Sequence, residues 1–74
     1  MASPHADQIS LRAGDTVVTT AEIQGVAVGS EGKVILANGF NWLRYRVRFA
    51  DGTEVGDLDQ RNIAPVGKTA KRLA

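Results

Sequence analysis

The 74-residue chain has a formal net charge of +1, no cysteine and one histidine, which excludes a disulfide framework, thiolate metal sites and a large core. No apolar run reaches the length of a secretory leader or a membrane span, so a soluble, cytoplasmic protein is the expectation. Between Leu11 and Val66 the bases Arg12, Lys33, Arg44, Arg46, Arg48 and Arg61 stand against Asp15, Glu22, Glu31, Asp51, Glu54, Asp57 and Asp59, so the body lacks the basic excess of a typical polyanion binder.

Residues 1–10 are small and polar, are interrupted by Pro4, and read as a flexible arm. A turn over Leu11 to Asp15 feeds a β-branched strand from Thr16 to Thr20. Ala21 to Ser30, with Gly25 and Gly29, is too short and glycine-rich for a helix and reads as a long, partly packed loop. Lys33 to Ala37 is a second strand, and Asn38-Gly39 signals a tight hairpin, because both residues tolerate positive φ.

The next strand, Trp42-Leu-Arg-Tyr-Arg-Val-Arg-Phe49, alternates two chemistries. Side chains of a strand alternate faces, so Leu43, Tyr45, Val47 and Phe49 point to a core while Arg44, Arg46 and Arg48 point away from it. Asp51-Gly52 is a second hairpin signal, Thr53 to Leu58 the returning strand, and Asp59 to Asn62 a tight turn of 3₁₀ type. Ile63 to Val66 is a short last strand, where Pro65 suits an edge. Residues 67–74 are left as a basic tail around Lys68, Lys71 and Arg72. Five short strands in residues 11–66 imply an all-β small barrel, since a domain this size must manage its strand edges. The expected core is Val17, Val34, Leu36, Leu43, Tyr45, Val47, Phe49, Leu58 and Ile63.

Two stretches resemble bacterial SH3-like small barrels. Gly56-Asp57-Leu58-Asp59 with Asn62-Ile63 resembles the closing segment of SH3 barrels. Gly14-Asp15-Thr16-Val17 with Gly29-Ser30-Glu31-Gly32-Lys33-Val34 is similar to the glycine spacing of KOW-type modules. The resemblance spans Gly14 to Val66 and implies a five-stranded barrel. It departs from peptide-binding SH3 domains: Asn62 stands at the closing-turn tyrosine, Asp59 at the usual proline, and Leu11 to Val18 holds no aromatic. Recognition of proline-rich peptides is therefore not expected. KOW kinship brings in nucleic acid by resemblance alone. A Tudor-like methyl-lysine cage needs several convergent aromatics, and Tyr45 and Phe49 point inward.

The arginine face has two readings. With a two-residue Asn38-Gly39 loop, Lys33 lies opposite Arg44 and Ile35 opposite Trp42, giving a strip suited to a protein partner or to phosphates and bases. With a two-residue Asp51-Gly52 loop, Arg46 faces Asp57 and Arg44 faces Asp59, a self-neutralising cross-strand ladder. In that register Arg48 meets Val55 and is the arginine expected to be free. A bulged three-residue loop would instead place Glu54 opposite Arg48. Phe40 adjoins the turn, and Trp42 either faces solvent or folds over the barrel end.

Catalysis has little to draw on. His5 sits in the arm, no nucleophile turn occurs, and Gly32-Lys33-Val34 lacks the Walker spacing and the Ser/Thr after the lysine. No EF-hand register fits: from Asp57, Arg61 falls at position five and Lys68 at twelve; from Asp51, Val55 and Asn62 do. The expectation is a non-catalytic, cofactor-free binding module. A protein partner would dock on Trp42, Arg48, Lys33, Arg44, Arg46, Phe40 and Ile35. Nucleic acid on the same face and basic tail is the alternative, and weak calcium binding by residues 51–59 a remote one.

Overall fold

The computed structural model describes residues 9–39 and 42–74. Its strands are β1 (Thr16–Thr19), β2 (Glu31–Asn38), β3 (Arg44–Phe49), β4 (Glu54–Leu58) and β5 (Ile63–Pro65), followed by the helix α1 (Gly67–Leu73). The strands form one antiparallel sheet in the order β4-β3-β2-β1-β5. The five expected strands are therefore present.

β3 alternates as its sequence requires: Tyr45, Val47 and Phe49 are buried, and Arg44, Arg46 and Arg48 are exposed. Val17, Val34, Leu58 and Ile63 join the core as expected, with Leu11, Val26 and Val55 in addition, and Leu43 packs against it half-buried. Leu36 does not belong to the core. It is 50% exposed, because a β-bulge between Val34 and Leu36 shifts the register against β3. Val34 pairs with the buried Val47, but Leu36 pairs with the outward Arg46. One inserted residue flips all that follows to the other face.

The hairpins also depart from the simplest register. β2 and β3 are joined by residues 39–43 rather than by two residues, so Lys33 pairs with Arg48 and Asn38 with Arg44. Gly39 has φ 122°, and a Cβ there would lie 2.1 Å from the Trp42 carbonyl oxygen. Only glycine lets the loop fold back this closely. At the other end of β3, Phe49 N–H donates to the Thr53 carbonyl at 2.8 Å, leaving a three-residue loop. The Asp51 carboxylate accepts the Thr53 N–H at 2.9 Å and holds that loop in shape. This is the bulged alternative, with Glu54 opposite Arg48. A second irregularity follows: Gly56 and Asp57, the latter at φ 58°, together oppose Arg46 before Leu58 pairs with Tyr45. The Arg46–Asp57 and Arg44–Asp59 pairs of the simple register do not form.

The C-terminal segment and Ile9 are both tied to the sheet. The expected basic tail is the helix α1. Thr69 Oγ1 accepts the Thr16 N–H at 2.9 Å. The buried Asp15 accepts from the Arg72 guanidinium and from the Arg12 N–H. The Thr69–Thr16 and Arg72–Asp15 contacts are polar and join residues more than fifty apart in the chain, so apolar periodicity could not announce them. Ile9, assigned to the arm, donates its N–H to Gln60 Oε1 at 3.1 Å and accepts the Tyr45 hydroxyl at 2.7 Å. The remainder of the expected arm, residues 1–8, lies outside the described residues. The loop before β2 is packed as expected: Thr19 Oγ1 donates to the Ala27 carbonyl and accepts the Ser30 N–H, and Val26 is buried.

Gly32 lies at a close approach of β2 to β3. A Cβ there would lie 2.6 Å from Val47 Cγ1, 2.8 Å from the Arg48 carbonyl and 2.9 Å from Phe49 Cδ1. Gly32→Ala is expected to lower stability by about 1–3 kcal/mol in urea unfolding. Gly56→Ala meets only the tip of Arg46 and should cost less. Equal losses would contradict this packing.

Candidate functional site

Residues paired across strands share a face, so the outer surface of β2, β3 and β4 can be read from the register. Lys33, Arg48 and Glu54 form one row, Leu36 and Arg46 the next, and Asn38 and Arg44 the last. Ile35, the residue at the bulge, is half-buried and lines a groove with Lys33 and Arg48. The bulge thus turns both Ile35 and Leu36 outward.

The cations on this face are unequally neutralised. Arg48 donates through Nε and Nη2 to Glu54 Oε2 at 2.9 and 2.8 Å, and Arg46 reaches Glu54 Oε1 at 3.3 Å. These two guanidinium groups, Arg48 foremost, hold the Glu54 carboxyl below its ordinary value. The pairs are solvent-exposed and so contribute little to stability. Arg48, expected to be the free arginine, is the best paired of the three. Arg44 and Lys33 have no ion-pair partner among the described residues.

Asp59 is absent from the ladder because it is occupied elsewhere. Its buried carboxylate accepts the Trp42 indole N–H at 2.7 Å, the Arg61 amide at 2.9 Å, and Arg61 Nε and Nη2 at 3.1 and 2.7 Å. Asn62 and Ile63 N–H both donate to the Asp59 carbonyl, which closes the expected tight turn. The Arg61 guanidinium lies 5.4 Å from the Trp42 ring centroid, within cation–π range. Trp42, 37% exposed, is therefore fixed against the β4–β5 turn rather than paired with Ile35. Sequence reasoning missed Arg61 and the anchoring role of Asp59; the available signal was an Asp-x-Arg-Asn turn directly after a strand. Phe40, the other expected contact aromatic, lies outside the described residues.

The groove beside Lys33 and Arg48 has a volume of about 370 Å³, and its walls include Gly32, Ile35, Phe49 and Ala50, with Glu31 at its rim. A second groove of about 370 Å³ runs between residues 24–27 and the β3–β4 turn. Among the described residues no three His, Cys, Asp or Glu side chains converge as a metal site, and no helix is long and apolar enough to cross a membrane. In the acidic segment expected to offer weak calcium affinity, Asp51, Glu54 and Asp59 already hold Thr53, two arginines and the Trp42–Arg61 pair. No protein-family model, curated protein or solved structure matches the chain.

The Arg61 guanidinium holds the Asp59 carboxyl well below the usual carboxylate range against the cost of burying the charge, and the Trp42 indole and the Arg61 amide add to this. A folded pKa below the unfolded value stabilises the fold above about pH 4 and is lost as pH falls further. Asp59→Ala should lower stability by about 2 kcal/mol at neutral pH. The gap to wild type should narrow between about pH 5 and pH 2. Urea titrations followed by the fluorescence of Trp42, the single tryptophan, measure both; a gap that is constant with pH would contradict the assignment.

Proposed function

We propose that the chain is an SH3-like barrel serving as a non-catalytic binding module, and that it engages a partner protein through the outer face of β2 and β3. Barrel closure is supported by the connection between the two end strands. Residues 59–62 alone join β4 to β5, a reach of at most about 18 Å. Four strand spacings of a flat sheet would need about 19 Å. The Asp59–Asn62 hydrogen bond shortens the reach further, which favours a curled sheet over a flat one.

The observation that carries the protein reading is Leu36, half exposed in a row with Arg46 and flanked by the rows of Arg44 and Arg48. An apolar residue ringed by guanidinium groups suits the desolvated centre of a protein interface. The alternative, nucleic acid, is favoured by Arg44 and Lys33, which have no ion-pair partner among the described residues.

Two measurements separate these readings. Labelled RNA and DNA at low and moderate salt should give no appreciable binding; a tight, steeply salt-dependent signal would favour nucleic acid. Affinity capture of a partner protein should weaken at least about tenfold with Leu36→Ser, because a buried leucine contributes about 1.5–3 kcal/mol. Unchanged capture by that variant would remove Leu36 from the site.

A further inference from the structure

We infer that the groove between Lys33 and Arg48 seats one apolar side chain of an extended acidic segment of the partner protein, with a carboxylate four residues away on Arg44. This rests on the protein-binding reading and adds the chemistry of the partner. The groove volume of about 370 Å³ is near the lower end of ligand pockets, about 300–1,000 Å³. Gly32, Ile35, Phe49 and Ala50 give it a mainly apolar lining, and Lys33, Arg48 and Glu31 supply its charges. That combination suits an apolar side chain from an extended peptide whose acid lies away from Glu31, toward Arg44.

The cation row sets the line along which the peptide lies. Arg44, Arg46 and Arg48 occupy alternate positions of β3, so their Cα atoms repeat every ~6.7 Å. A second extended chain laid along β3 presents side chains with the same repeat. Glu54 already serves Arg46 and Arg48, so the unbalanced positive charge lies at the two ends, on Lys33 beside the groove and on Arg44. These ends are ~13 Å apart, four residues of extended chain. Leu36 lies between them, beneath the middle of the peptide, where a small apolar residue would cover it. The expected motif is therefore an apolar anchor beside Lys33 and an acid four residues along on Arg44; two residues to the other side of the anchor the face presents Glu31, so no acid belongs there.

The test uses a fluorescein-labelled synthetic peptide, Gly-Thr-Thr-Leu-Thr-Val-Thr-Glu-Gly, and its reversed sequence, against the full chain by fluorescence anisotropy. One orientation should bind. Replacing its leucine by serine, or moving that leucine by one position, should weaken binding about tenfold or more. Replacing the distal glutamate by glutamine should weaken binding to wild type severalfold and leave binding to Arg44→Gln unchanged. Ile35→Ser tests the groove wall. Lys33→Gln, on an exposed residue, serves should Ile35→Ser fail to fold by circular dichroism, and should weaken binding severalfold.

Equal binding of the leucine and serine peptides would overturn the groove assignment. So would a failure of both orientations to bind. Neither result touches the wider protein-binding reading, which stands or falls on capture of the partner by wild type and Leu36→Ser. Binding of oligonucleotides but of neither peptide would overturn both.

Discussion

The buried Asp59 carboxylate is the constraint on which the rest of the site depends. It accepts from the indole of Trp42, from the amide of Arg61 and from two nitrogens of the Arg61 guanidinium. Trp42 belongs to the β2–β3 loop and Arg61 to the β4–β5 turn, so one side chain joins two connections that are remote in sequence. The interaction is charge-assisted and its carboxylate is buried, although the Arg61 side chain reaches solvent. It also explains the loop length: a two-residue hairpin at Asn38-Gly39 would have placed Trp42 opposite Ile35, beyond reach of Asp59. Because Asp59 is committed there, Arg44 is left without a carboxylate among the described residues.

Two bulges complete the outer face. The one in β2 turns Ile35 and Leu36 to the same side and leaves Leu36 half exposed. The one in β4 puts Gly56 and Asp57 opposite Arg46, so Glu54 rather than Asp57 neutralises that arginine, and it does so jointly with Arg48. The resulting surface has an apolar centre, a half-neutralised middle and net positive ends. A regular ladder of the same sequence would have paired its charges and buried Leu36.

Residue alternation made much of this legible in advance. The faces of β3, most of the core and the turn after Leu58 follow from side-chain period and turn chemistry. Leu36 was misplaced because period two holds only where pairing is regular, and nothing local in Val34-Ile35-Leu36 marks a bulge. The helix after Gly67 was missed because it is short and docks through Thr69 and Arg72 on Asp15, contacts that no apolar stripe announces. The roles of Arg48 and Arg44 were exchanged for a related reason. A single residue of loop length decides which carboxylate each guanidinium meets.

The most direct test is an NMR comparison of the arginine Nε–H and Trp42 indole N–H resonances in wild type and Asp59→Asn. The Arg61 Nε–H and the Trp42 indole should exchange slowly with water in wild type, and both should shift and exchange faster in the variant, while Arg44 stays unchanged. A shift of Arg44 with Arg61 unmoved would mean that Asp59 neutralises the outer face after all, and would contradict the proposed site.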